Sequence, residues 1–268
     1  MNPIPQGIDM KATYENFYAT CPSCGRRNTF NRASDWHDFS LVDHKEVDCL
    51  HPDCGKRFFV NGDQSNPCYE MLVFDCYELL EAKHYSYCIL NLAQAFEVFF
   101  SQYLRVTLLY GPLAQQQKFD LDSHNEMLRL LEEKIETFPF GKMRRLFFQI
   151  ALRTEAPPTL QASKLVINAI DPRNVPPEPS DDELRGQTLV PNVYLRNLFL
   201  RLKHCEVPNL RNKVVHKVAY RPTHEEAKEA LQETRAILFP LGFALDVQSD
   251  DMNRYLSRLG ERDGSNRS

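Results

Sequence analysis

The chain has 268 residues, 43% of them hydrophobic and 25% charged, with a formal net charge of −4. That length accommodates one sizeable core and a small accessory module, and the balance excludes a disordered or low-complexity chain. No apolar run approaches the roughly 20 residues of a membrane helix, and Met1 to Pro5 has neither a basic start nor an apolar signal core, so a cytoplasmic protein without a membrane partner is expected.

The first 66 residues hold four of the eight cysteines, as Cys21-x2-Cys24 and Cys49-x4-Cys54. In a reducing compartment such paired spacing indicates a structural metal site with thiolate ligands rather than disulfides. Each pair runs into a glycine, Gly25 or Gly55, which lets the chain turn tightly beneath the thiolates. His51 is an alternative ligand that four cysteines make unnecessary. Mixed apolar and polar runs at Tyr14–Ala19, Arg27–Asn31, Val42–Val47 and Arg57–Val60 predict hairpin strands. The module resembles a zinc ribbon, which implies a structural Zn2+ held by Cys21, Cys24, Cys49 and Cys54. Through Pro67 it carries seven basic and nine acidic residues, which disfavours a strong grip on phosphate. Arg26, Arg27, Arg32, Phe30 and Trp36 offer a local binding face for nucleic acid, and a protein partner fits equally.

From residue 67 to 248 the pattern is helical. Asn66-Pro67 is read as a cap followed by proline in the first turn, then amphipathic runs follow over Tyr69–Lys83 and Tyr85–Tyr110, the second ended by Gly111-Pro112. Shorter helices are expected at Asn125–Thr137 and Lys142–Leu152. Residues 155–191, with six prolines before Pro191 and the acidic run Asp181-Asp182-Glu183, are expected to form an irregular insertion, mobile or lid-like. Helix resumes at Asn192–His204 and continues to Tyr220. A last helix starts at Thr223, whose spacing to Glu226 is that of a capping box. The polar tail 249–268 is expected to fray. Cys68, Cys76, Cys88 and Cys205 are read as buried free thiols.

Between Pro191 and Arg221 seven basic residues face one acid, Glu206, although the chain as a whole is acidic. A basic patch confined in this way suits a polyanion, with a solvated helix face as the alternative. Within it lies Arg211-Asn212-Lys213-Val214-Val215-His216, where Asn212 and His216 fall on one helical face. Pro208-Asn209 would start that helix, setting its positive end near Arg211 and favouring a bound phosphate. Cleavage of RNA by its own 2′-hydroxyl needs a base, an acid and positive charge at the phosphorus. One Arg and one His supply two of these, and a second copy across a two-fold axis supplies the third.

This Arg-Asn-x-x-x-His motif resembles the signature of HEPN domains, helical bundles that often act as metal-independent ribonucleases. The resemblance spans Asn66–Asp246, with the sharp motif only in the last forty residues of that stretch. It implies a mainly α fold, a HEPN-like bundle preceded by a small β zinc ribbon. It further implies an endoribonuclease of toxin or antiviral-defence type, acting as a homodimer without a catalytic metal, with RNA as substrate and an antitoxin or defence-system protein as partner. In those terms Arg211 binds the phosphate and transition state, His216 transfers protons and Asn212 positions them. The family often keeps a carboxylate facing the Arg, and Glu97 is the candidate here, with a structural salt bridge as the alternative. Lys203 and His204 are read as rim residues. One HEPN branch has Tyr two residues after the His, whereas this chain has Val218, which weakens the case for that mode of control. Two other functions remain open, a non-catalytic nucleotide- or RNA-binding module with the ribbon as adaptor, and a plain scaffold.

Overall fold

Short runs rich in Phe, Tyr, Val and Thr, punctuated by Pro and Gly, have the make-up of hairpins. In the computed structural model, which describes residues 16–31, 35–36, 44–61, 67–116, 121–153, 155–186, 190, 192–247 and 255, the chain divides into two units, Met1–Asn66 and Pro67–Ser268. In the first unit β1 (Asn16–Thr20) pairs antiparallel with β2 (Arg27–Asn31), and β3 (His44–Asp48) with β4 (Arg57–Asn61), as separate two-stranded sheets. The expected strand starts at Tyr14 and Val42 lie outside the described residues.

Both hairpin ends use the same turn. Gly25 and Gly55 have φ of +68° and +54°, a region that glycine enters at little cost. Their amides donate to the carbonyls of Cys21 (2.9 Å) and His51 (3.1 Å). The turn Cys21-Pro22-Ser23-Cys24-Gly25 therefore recurs as His51-Pro52-Asp53-Cys54-Gly55, and Cys49 enters from two residues ahead. Phe30, Val47, Phe58 and Val60 pack with Cys21 and Cys49 as a small core. Asn28, 1% exposed, stitches the hairpins together: its amide donates to the Arg26 carbonyl (3.2 Å) and its oxygen accepts from Leu50 N–H (2.7 Å).

The second unit is helical: α1 (Cys68–Glu81), α2 (Tyr85–Arg105), α3 (Gly111–Ala114), α4 (Leu121–Lys134), α5 (Phe140–Ala151), α6 (Leu160–Ala169), α7 (Asp181–Arg185), α8 (Val193–His204), α9 (Val207–His216) and α10 (His224–Ala244). Apolar residues on α2 cover more than one stripe, with Leu92, Ala95, Phe96, Phe99 and Phe100 all inaccessible. A helix apolar on several faces must be surrounded, and α1, α5, α9 and α10 all pack against it. Its phenylalanines interlock with Phe140 and Phe147 of α5, and Phe147 with Phe199 of α8, at centroid separations of 5.1–6.2 Å. Tyr69 of α1 meets Phe99 edge-on. No helix among the described residues is long and apolar enough to cross a membrane.

Several expected boundaries shift. Pro67 occupies the cap position itself, with α1 starting at Cys68, and Asn66 lies outside the described residues. Gly111-Pro112 does not end the long helix: residues 106–110 form a π turn in which Gly111 N–H donates to the Val106 carbonyl, and the chain stays helical to Ala114. The wider turn and the position of Pro112 at the start of α3 remove the demand for the amide that proline lacks.

The stretch 155–191 is not irregular throughout, because it contains α6 and α7. Its prolines at 157, 158, 172, 176, 177 and 179 bracket these helices and stay outside them. Thr159 caps α6, and Ser180 with Glu183 forms a capping box on α7. Leu160, Ile167, Val175, Leu184 and Val190 are buried in the main core, and Arg144–Glu178 (2.7 Å) and Lys134–Asn168 (2.7 Å) bind the segment down. The helix expected to run to Tyr220 breaks at Cys205-Glu206 and ends at His216. α10 begins where the sequence placed it: Thr223 Oγ1 accepts from Glu226 N–H (3.1 Å) and the Glu226 carboxylate accepts from Thr223 N–H (2.8 Å). The tail 249–268 lies outside the described residues apart from Tyr255.

Candidate functional site

The matched turns of the first unit bring four thiols together. Cys21 Sγ lies 3.8 Å from Cys54 Sγ and Cys24 Sγ lies 3.7 Å from Cys49 Sγ, each contact joining one turn to the other. All four sulfurs lie within 4.8 Å of one another. Thiolates bound tetrahedrally at about 2.3 Å from a common ion stand about 3.8 Å apart, so this set fits a four-coordinate metal. His51 is not part of the cluster. Burial raises the Cys21 thiol, but amide hydrogen bonds from Cys24 and Ser23 and the neighbouring thiols bring it down to about 7. A cation would favour the thiolate form in all four.

The surface expected beside this cluster is largely engaged. Arg26 forms a forked pair with Asp53 at 2.7 and 2.5 Å, and Phe30 is a core residue, 4% exposed, stacked on Trp36 at 5.5 Å. Lys45 covers the Trp36 ring at 4.6 Å. Arg32 lies outside the described residues.

In the second unit α9 lies against α2 through buried Val207 and Leu210. Arg211 is half-buried, whereas Asn212 and His216 are exposed. At 3.6 residues per turn Asn212 and His216 stand about 40° apart and Arg211 and His216 about 140°. Within one chain, then, the guanidinium turns towards α2 and the imidazole towards solvent. Arg211 Nη1 donates to Asn212 Oδ1 at 3.3 Å, while the side chains of His216 and Lys217 have no hydrogen-bond or ion-pair partner among the described residues. Arg211 sits more than a turn into α9, which begins at Val207, and Glu206 already occupies the cap with Asn209 Nδ2 donating to its carboxylate (3.1 Å). The start of α9 thus lies a turn away from Arg211 and carries the Glu206 carboxylate beside it, which disfavours a phosphate there.

Glu97 on α2 is half-buried. Burial raises its carboxyl, and the charge of Arg211 offsets only part of that rise. Among the described residues no ion pair joins the two, so the expected direct contact is replaced by attraction at longer range. Glu97 opens instead onto a cleft along α2.

Lys203 and His204 are not idle rim residues. Both bind Asp181 of α7, at 2.6 and 2.8 Å, and these hydrogen bonds hold that carboxyl below the usual range. The basic strip is depleted further by Lys213 over the Tyr220 ring (5.6 Å) and Arg221 on the carbonyls of Val218 and Tyr220. The Asp181 contacts span 22 and 23 residues of sequence, and no local pattern announces them. Cys76, Cys88 and Cys205 are buried, while Cys68 is exposed at the start of α1. No family model, curated protein or solved structure matches the chain.

Proposed function

We infer that the protein is a metal-independent endoribonuclease of HEPN type, acting in the cytoplasm as a homodimer in a toxin or antiviral-defence role, with a structural zinc ribbon. The observation that carries this reading is the split of the motif on α9, with Arg211 set against α2 and Asn212 and His216 presented to solvent. Two copies related by a two-fold axis would bring two such helices together. One His216 then takes the proton from the 2′-hydroxyl as its oxygen attacks phosphorus. The partner's His216 protonates the 5′-oxygen as the P–O5′ bond breaks, leaving a 2′,3′-cyclic phosphate. Arg211 supplies charge to the phosphorane-like transition state, and Asn212, bonded to it, fixes its orientation. Zinc at the four thiolates would stabilise the ribbon and take no part in this chemistry, and an antitoxin or defence-system protein is the expected partner.

A second reading is a non-catalytic module that binds RNA or nucleotides with the ribbon as adaptor, which needs Arg211 but no proton transfer by His216. The test is incubation of the purified protein with total RNA in EDTA. Cleavage that leaves cyclic phosphate ends and falls about 10²–10⁴-fold in His216→Ala supports the nuclease. Equal cleavage by both proteins removes the catalytic assignment and leaves the binding module.

A further inference from the structure

The cleft along α2 has a volume of about 460 Å³, within the range of pockets that hold a small ligand. Gln94, Glu97 and Ser101 recur on one face of α2, and Phe138 and Met143, from outside α2, add an aromatic ring and a thioether to the lining. Arg105 also lines it, its guanidinium already committed to Glu136 at 2.6 and 2.8 Å, with Ser101 donating to the same carboxylate at 2.7 Å. Burial pushes the Glu136 carboxyl up, but these hydrogen bonds outweigh it and hold the group below its ordinary range. The lining therefore carries two carboxylates against one guanidinium, and that guanidinium is spoken for. A phosphate would be repelled, whereas a flat ring with hydrogen-bond donors on its edge would be attracted.

Glu97 is the group left to receive those donors. It is half-buried and makes no hydrogen bond or ion pair among the described residues. A carboxylate removed from water gains most from two parallel charge-assisted bonds. Among the bases of RNA only guanine presents two adjacent donors, N1–H and the 2-amino group, on one edge. Adenine and cytosine offer one amino group beside an acceptor, and uracil flanks its single N–H with carbonyls that a carboxylate repels.

We propose that the α2 cleft is a base-binding subsite for guanine, in which Glu97 accepts from N1–H and the 2-amino group while the ring lies against Phe138. This deepens the ribonuclease reading and rests on it in one respect: the guanine belongs to the strand whose phosphate meets Arg211. A base seated beside α2 would orient that strand across α9.

The test is calorimetric titration of the full-length protein with guanosine and uridine 5′-monophosphates. Guanosine monophosphate should bind about tenfold or more tightly, the usual scale for a bidentate side-chain–base pair. Glu97→Gln, which replaces one acceptor with a donor at constant shape, should bring the ratio close to one. Phe138→Ala should weaken both nucleotides by about tenfold through lost stacking and leave the ratio intact. Failure of guanosine monophosphate to bind, equal affinities, or an unchanged ratio in Glu97→Gln would overturn the subsite. RNA cleavage that depends on His216 without any guanine preference would overturn the subsite alone. Guanine binding that depends on Glu97 in a protein that never cleaves RNA would overturn the nuclease reading alone.

Discussion

Removing the metal should unfold the N-terminal unit and leave the helical one standing. Among the described residues four apolar side chains, Phe30, Val47, Phe58 and Val60, make up the buried non-cysteine core of that unit, worth together about 8 kcal/mol at roughly 2 kcal/mol each. Two-stranded sheets of five residues per strand are marginal alone. A structural zinc on four thiolates contributes about 10–16 kcal/mol in comparable small modules, more than those four side chains together. Cys49→Ser deletes one corner of a thiol set whose crossed contacts are 3.7 and 3.8 Å, and should unfold the hairpins. Trp36 is the chain's single tryptophan and stacks on Phe30 beneath Lys45, so its emission reports this unit alone. Native protein should contain one equivalent of zinc by elemental analysis. Chelation or Cys49→Ser should red-shift Trp36 emission while the helical far-UV signal persists. Less than half an equivalent in native protein, or unchanged emission after full chelation, would refute the reasoning.

Gly242→Ala should destabilise the helical unit by about 1–3 kcal/mol, less the gain of up to about 1 kcal/mol from alanine in a helix. A Cβ there would collide with the hydroxyl of Tyr69, itself inaccessible and held against Phe99, and the melting temperature should fall accordingly. Glu97→Gln should raise the melting temperature at pH 7. Because burial raises the folded-state pKa of Glu97 above its ordinary 4.5, its charged form opposes folding as pH rises through that folded value. The advantage of Glu97→Gln should therefore shrink towards zero as pH is lowered to 4.5, and a constant difference across that window would contradict the assignment.

Local chemistry made much of this protein legible from its sequence. Paired cysteines before Gly25 and Gly55 announce a thiolate cluster because both the ligand spacing and the positive φ are properties of a few adjacent residues. Thr223 and Glu226 announce the start of α10 for the same reason, and the stripe through Leu92, Phe96 and Phe100 marks α2 as a core helix. The same rules applied to Thr159 and to Ser180 with Glu183 would have found α6 and α7, but the surrounding prolines, which punctuate helices without occupying them, masked the signal. Only tertiary structure decided the rest. That Asp181 takes Lys203 and His204 depends on how α7 meets α8 across more than twenty residues of chain. That Glu97 faces a cleft instead of pairing with Arg211 depends on how α9 sits on α2. The angle between Arg211 and His216 is set by the helix, yet which of them meets protein and which meets water follows from burying Val207 and Leu210, a choice made by the whole core.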